Sequence, residues 1–484
     1  MRRLGPFCLA ASLAIGGCAG LPPNPKPVTL GAQAPLGDLP GGGQWPAPQW
    51  WTRYQDPTLD RLVELALASS PSLASAHARF DSARQSVRVA GAATGVQVQA
   101  SADADRQRLS DNGLFPPALL GFHWYNQFDL GLQATYTFDW WGKRRDAIEA
   151  AMDQAHAAAA DRSAAALVLA SAVTETYFAW QSDEARLAIA GEREHLLERQ
   201  ARIAAARVQA QVDPTDVRYR ADAGLAALRE QREALRGSAA LRVVALAALT
   251  GVPPSELPPL TVRPLPPISA GLPDDARLDL IARRADVAAS RWRVEAAEQA
   301  SQAARAEFYP DVTIGALAGL SSLDLARLAQ YNSRVPQLGA AVHLPIFDSG
   351  LLKARYGASR AALDAAVAGY RETVVGAARE VAAAAATRGQ IAAQRAERMA
   401  AFEAAQRLDR STVARARQGL SDARPEIAAA EALLEQQDAL LLLDAAAVTA
   451  DVDLQRALGG GYTSAAPAGA PTVSSTQTSG NPTP

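Results

Sequence analysis

The side chains with the most chemical reach in this 484-residue chain are few and scattered. Its five histidines are His77, His123, His156, His195 and His343. No two stand at the short helical spacing that brings a pair of imidazoles together on zinc. Neither a Gly-x-Ser-x-Gly elbow nor a phosphate-cradling glycine loop is present. The expectation is a chain that is not an enzyme and that needs no metal or cofactor. What remains is electrostatic. Acids and one base crowd two short turns, Asp213 and Asp216 in Gln211 to Asp216, and Asp422, Arg424 and Glu426 in Gly419 to Glu426. If copies of the chain met there, symmetry-related carboxylates would repel one another, favour cations and leave a closed constriction marginally stable. Ordinary solvated helix caps would use the same residues.

One thiol offers covalent chemistry. Arg2 and Arg3 precede the apolar stretch Phe7 to Ile15, as in a secretory signal, and the stretch ends in Gly16-Gly17-Cys18. That ending resembles a bacterial lipobox, which implies a signal peptide at 1–17 and a lipid on Cys18. Ala19 in place of aspartate resembles the sorting rule for the outer membrane. Cys8 falls in the discarded segment, so the mature chain holds one cysteine and no internal disulfide. Residues 18–48, rich in proline and glycine, read as an extended tether.

Composition narrows the class further. There are 48 basic and 50 acidic side chains, with no basic surplus to attract nucleic acid. Hydrophobic residues make up 49% but aromatics only 6%, so alanine supplies much of the apolar fraction and favours close-packed, thin helical walls. No run of about 18 apolar residues follows the leader, so no transmembrane helix is expected.

The elements that position the charged turns are long. From Lys143 to Ala210 there is no proline and a single glycine, which predicts a helix of about 100 Å at roughly 1.5 Å per residue. The chain turns at Gln211 to Asp216, with Asp213 as the expected N-cap and Pro214 as the first helical residue. A return helix runs from Thr215 to about Leu249. The pattern then repeats: Phe138-Asp139 through Gly142-Lys143 reappears as Phe347-Asp348 through Gly350 and Lys353, Leu249-Thr250-Gly251 as Leu458-Gly459-Gly460, and Arg207 with Gln211 as Arg415 with Gly419. This predicts a first repeat at 49–255 with a hairpin at 143–250, and a second at 256–461 with a hairpin at 350–458. Shorter helices are expected from Asp56-Pro57 onward, from Ser72 to about Ala93, near Ala276 to Ala285, and from Asp286 to Phe308. The last helix carries two heptad stripes, Ile427, Leu434, Leu441 and Val448 beside Leu433, Leu440, Ala447 and Leu454, which suit a helix with neighbours on both sides. Residues 462–484 lack charge and read as disordered.

Strands precede each hairpin. Strict alternation predicts them at about 96–107, 128–138, 311–320 and 337–346, long enough to cross an outer membrane when tilted. Four such strands cannot close a barrel, since the smallest known barrels need about eight. Three copies would. The predicted fold is mainly α with a transmembrane β-barrel contribution, a duplicated helical hairpin and strand pair that forms a trimeric α-barrel and β-barrel duct.

Several stretches carry a family resemblance: Trp50-Trp51 through Asp56-Pro57 and Leu59, Phe138 to Gly142, Ala303 to Pro310, Leu344 to Gly350, Arg417 to Ser421 and Ala457 to Gly461. Together they resemble the outer membrane factor family, the TolC-like exit ducts, and within it the NodT-type lipoprotein branch. The resemblance implies a homotrimer in outer membrane lipid. It also implies docking to a periplasmic adaptor and an inner-membrane pump of resistance-nodulation-division or major-facilitator type, and transport of drugs or other small molecules. By position it implies a periplasmic gate at the two turns. Gln211 departs from the family's usual glycine, and Ala428 from its usual gating aspartate; Asp422, Arg424 and Glu426 stand nearby. The alternatives are a periplasmic adaptor lipoprotein and a type I secretion duct.

Overall fold

The computed structural model describes residues 44–112, 116–268 and 283–463. Cys18, the leader, most of the tether, nearly all of the helix expected near Ala276 and nearly all of the tail lie outside them. The chain runs α1 (Pro57–Ser69), α2 (Pro71–Ala92), β1 (Gln97–Arg108), β2 (Trp124–Phe138), α3 (Lys143–Gln209), α4 (Thr215–Thr250), α5 (Ala285–Ala306), β3 (Asp311–Ser322), β4 (Arg334–His343), α6 (Leu351–Arg417) and α7 (Ala423–Ala457). The two halves match in length: α3 and α6 each span 67 residues, α2 and α5 each 22, β1 and β3 each 12. The repeated Phe-Asp motif has a local task in both copies. Asp139 accepts the amides of Arg144 and Arg145 at 3.0 and 2.8 Å, and Asp348 accepts those of Gly350 and Leu352 at 2.9 and 2.7 Å. Each carboxylate thereby satisfies donors that the first turn of a long helix leaves unpaired.

The chain divides into two compact units. One contains His77–Ala159 and Ala289–Glu372, and holds an antiparallel sheet of order β1-β2-β3-β4. Rungs cross all four strands, for example Ala100, Leu132, Ala318 and Pro336, and the next on the same face, Ala102, Leu130, Leu320 and Arg334. β2 begins at Trp124, earlier than the alternation indicates, because Asn126 interrupts the apolar face while its backbone still pairs with Arg106. β4 is shifted three residues earlier than expected and ends at His343, ahead of Pro345, whose missing N–H suits no ladder.

The other unit contains Ala32–Ala76, Ala160–Ala288 and Thr373–Pro484. Its core joins Trp50, Trp51, Tyr54 and the apolar face of α1 to Leu169, Val173, Tyr177 and Phe178 of α3, Leu246 of α4, and Val448 and Val452 of α7. Asp56 caps α1 through the amides of Thr58 and Leu59 and also accepts the Tyr177 hydroxyl at 2.7 Å. A stretch of α3 is long and apolar enough to cross a membrane by length and composition, which amends the expectation that no helix is. Along α3, however, Leu169, Val173 and Tyr177 pack into this core.

The α3–α4 hairpin closes through a seam with heptad spacing, Ala190 and Leu197 against Leu228 and Leu235. Ion pairs run beside it, Arg229 to Glu194 at 2.7 Å and to Glu198 at 2.8 Å. α3 also pairs with α7 of the other hairpin: Arg186 with Asp438 at 2.8 Å, Arg193 with Glu435 at 2.7 Å, and Arg199 with Glu426 at 3.2 Å. As the α3 partner advances along the chain the α7 partner retreats, so the two helices are antiparallel. α7 in turn meets α6 through Asp444 and Arg395 at 2.5 Å. The side-by-side order is therefore α4, α3, α7, α6. The first stripe on α7 is buried at Ile427, Leu434 and Val448 and half-covered at Leu441, whereas the second is half-covered at Leu433, Leu440 and Ala447 and buried at Leu454.

Candidate functional site: the hairpin turns and the two-faced sheet

The two turns share one backbone solution. Val212 donates to the Arg207 carbonyl at 2.9 Å, as Leu420 does to that of Arg415. The residue between takes the left-handed conformation, Gly419 at φ 70° and Gln211 at φ 56°. A glycine holds that conformation without strain and a glutamine does not.

Within one protomer, each acid at the turns faces an arginine. Asp213 does not cap α4. Pro214 occupies the N-cap position, and the Asp213 carboxylate turns back to Arg207, which donates to it at 2.6 and 3.1 Å. Asp422 does cap α7, accepting the Arg424 amide at 3.1 Å, and it also takes the Arg424 guanidinium at 2.9 and 2.7 Å. Asp216 pairs with Arg220, and Glu426 with Arg199 at 3.2 Å. All four carboxylates thus meet an arginine, and their mutual repulsion is largely offset within the protomer. The hydrogen bonds from Arg207 hold the Asp213 carboxyl below its ordinary 3.8, with Arg424 adding to the effect and Asp422 opposing it. Asp422 is lowered too, first by the Arg424 side chain, then by its amide and by the charge of Arg207. The two turns therefore act electrostatically as one cluster of two arginines and two aspartates. Sequence reading located these residues but not their pairing, since only the folded turn aims Arg207 at Asp213.

The sheet sorts its side chains by parity. One face of β1 carries Val98, Ala100, Ala102 and Ala104, and the other Gln99, Ser101, Asp103 and Asp105. Leu130, Leu132, Leu338 and Val342 stand exposed on the apolar face. The polar face is bonded across strands, Gln99 to Gln133 at 3.2 Å and Thr137 to Thr313 at 3.0 Å. Asp103 sits directly opposite Asp129 on that face. At the end of the sheet nearest the long helices lie aromatics, Phe138 stacked on Trp140 at 5.4 Å and Trp141 on Tyr309 at 4.5 Å. Such an apolar band with an aromatic border is what lipid and its interface select.

These features agree with comparison to known proteins. A profile of the outer membrane efflux protein family matches residues 62–252 and again 278–460, once on each half. The chain belongs to this family. It is similar to the multidrug resistance outer membrane protein MdtP of Escherichia coli, 31% identical with 86% of this chain and 87% of that one covered. It is also similar to the MdtQ protein of another Escherichia coli strain, at 32% identity over 94% and 97% of the two chains. Among solved structures, the outer membrane protein VceC of Vibrio cholerae superposes with a TM-score of 0.76 at 31% identity, covering 86% of this chain and all of that one. This protein is accordingly an outer membrane efflux channel component. What the described residues contribute to such a channel is a sheet with one polar and one apolar face and a cluster of paired charges at the two hairpin turns. Among the described residues, no group of His, Cys, Asp or Glu comes together in a metal-holding array.

Proposed function

We propose that three copies close into a continuous duct through which small molecules, drugs among them, leave the cell. The observation that carries this is the sheet. It has an apolar face suited to lipid and two free edges, β1 and β4, which a membrane does not tolerate unpaired. An even number of strands makes a junction between β4 of one copy and β1 of the next antiparallel, like every junction inside the sheet. Twelve strands would then meet the requirement of about eight or more. The half-covered positions Leu433, Leu440 and Ala447 of α7 and the outer helices α4 and α6 give the helical part comparable free surfaces. A water-filled passage spares polar cargo any contact with hydrocarbon; the energy comes from an inner-membrane pump of resistance-nodulation-division or major-facilitator type, reached through a periplasmic adaptor. Cys18 carries the lipid anchor, and no other cofactor is needed. The cluster of Arg207, Asp213, Asp422 and Arg424, with Asp216 and Glu426 beside it, is the gate, held closed by paired charges rather than strained by bare ones.

Two experiments test this reading. Deletion of the gene should raise susceptibility to exported compounds, and complementation with the wild-type chain should reverse it. Labelled palmitate should enter the wild-type protein and not Cys18→Ser. A protein extracted by urea as a monomer would contradict the duct.

A further inference from the structure

The apolar face of the sheet carries a feature that a passive lipid contact does not call for. In β1 the acids and arginines take opposite faces, Asp103 and Asp105 the polar one and Arg106 and Arg108 the apolar one. Arg334 of β4 is also on the apolar face, in the rung with Ala102, Leu130 and Leu320. All three arginines are exposed and lie at the end of the sheet nearest the 109–123 and 323–333 connections, away from the long helices. An arginine on a lipid-facing surface is costly in proportion to its depth, unless it meets an opposite charge. Arg108 has Asp111 at 3.5 Å, but Arg106 and Arg334 form no ion pair with any described carboxylate. Each instead lies over an aromatic ring, Arg334 at 4.4 Å from the centre of Tyr331 and Arg106 at 5.7 Å from that of Trp124. Stacking fixes the guanidinium plane and leaves its N–H edge free for a phosphate.

Beside Arg334, the rung Ala100–Leu132–Ala318–Pro336 and the neighbouring residues Leu130, Leu320 and Arg334 frame a groove that crosses the strands. It has a volume of about 460 Å³, and Gly131 and Gly319 complete its wall. The groove is otherwise lined by apolar side chains and glycines and carries one cation, Arg334, at its β4 end. That is the outline of an acyl chain lying across the strands with its anionic headgroup at Arg334.

We propose that this face is a binding site for a phosphate-bearing lipid of the outer leaflet, with its acyl chain in the groove and a headgroup phosphate on Arg334. Arg106 and Arg108 extend the same cationic rim at the opposite edge of the sheet. In the closed barrel of the proposed function, on which this inference rests, the β4 edge of one copy adjoins the β1 edge of the next, so Arg334 of one protomer and Arg106 and Arg108 of its neighbour share one cationic rim at the headgroup end of the site. The polar face has no part in the site, and its acids keep the same lipid out of the lumen.

The test uses the full-length protein in gentle detergent, doped with diphosphoryl lipid A or with the same glycolipid stripped of its phosphates, and native mass spectrometry of the trimer. The wild type should retain the phosphorylated form at least five-fold better than the stripped one. Arg106→Gln with Arg334→Gln should abolish that preference, while Arg334→Lys, which keeps the charge and loses the planar fork, should retain part of it. Filling the groove with Ala318→Leu should weaken retention with the arginines intact. Trimers that hold both glycolipids equally, or whose retention is unmoved in the double variant, would overturn the lipid site and leave the barrel standing. A monomer in the same spectra would overturn both.

Discussion

Asp451 offers the sharpest test of how the N-terminal segment is fastened to the long helices. It is fully buried on α7, accepts the Tyr54 hydroxyl at 2.9 Å, and has Arg53 at 3.6 Å and Arg388 at 3.8 Å. Burial, then the charge and hydrogen bond of Asp451, push the Tyr54 hydroxyl far above its ordinary value, so it stays a donor. In Asp451→Ala, Arg388 keeps a largely buried charge without its carboxylate, and breaking such a pair costs about 3–5 kcal/mol. Tyr54→Phe leaves both arginines paired and removes one hydrogen bond to a buried carboxylate, which should cost about 2 kcal/mol. With an m-value of about 4 kcal/mol/M in guanidinium chloride, the first change shifts the midpoint by about 1 M and the second by about 0.5 M. Trp50, Trp51 and Trp180 lie in the same core, so their fluorescence reports this region directly. Because the two changes share a partner, the double variant should be no worse than Asp451→Ala by more than a few tenths of a kcal/mol. An Asp451→Ala midpoint within error of that of Tyr54→Phe would refute the assignment of a buried charge hub.

Other outcomes follow from the turns and the lumen. Gln211→Gly should stabilise the first turn by about 1 kcal/mol in thermal unfolding, and Gly419→Ala should destabilise the second by a similar amount, since both positions are left-handed. The Asp213 and Asp422 carboxyls are lowered below 3.8 in the folded state, so their ion pairs stabilise the turns above that value and are lost as pH falls through the depressed ones. Conductance in planar bilayers should thus stay low down to about pH 4 and rise below it, and Arg207→Ala with Arg424→Ala should show the raised level at neutral pH. With the turn acids paired, cation preference should reside in the sheet. Asp103→Asn with Asp129→Asn should reduce it in reversal-potential measurements, whereas Asp216→Asn should not.

The long helices and strands were legible because their signals are local. Lys143–Gln209 contains no proline, and β1 alternates at every position from Val98 to Asp105. The duplication was legible because Phe-Asp caps a long helix in both halves and cannot vary freely. The pairings between elements were not. Arg186 and Asp438 lie 252 positions apart, and Tyr54 and Asp451 lie 397 apart, so no spacing rule connects them. Asp213 misled for a different reason: Asp-Pro at a helix start is a sound capping signal, but a bidentate arginine six residues earlier offered the carboxylate stronger donors. The arginines on the apolar face were also visible in the sequence, yet parity gains meaning only once the register shows which side each residue takes.

The central claim is that β4 of one copy pairs with β1 of the next, and cysteine cross-linking tests it most directly. Within one protomer these strands stand three positions apart in the sheet, about 14 Å at roughly 4.8 Å per strand, beyond the reach of a disulfide. Gln337→Cys on the polar face of β4 should be combined in turn with Gln99→Cys, Ser101→Cys and Asp103→Cys on the polar face of β1, and with Ala100→Cys and Ala102→Cys on the apolar one. The account predicts oxidised bands up to a covalent trimer with at least one polar-face partner and none with the apolar-face partners. Absence of cross-links with every partner, in a protein that migrates as a monomer in gentle detergent, would contradict it.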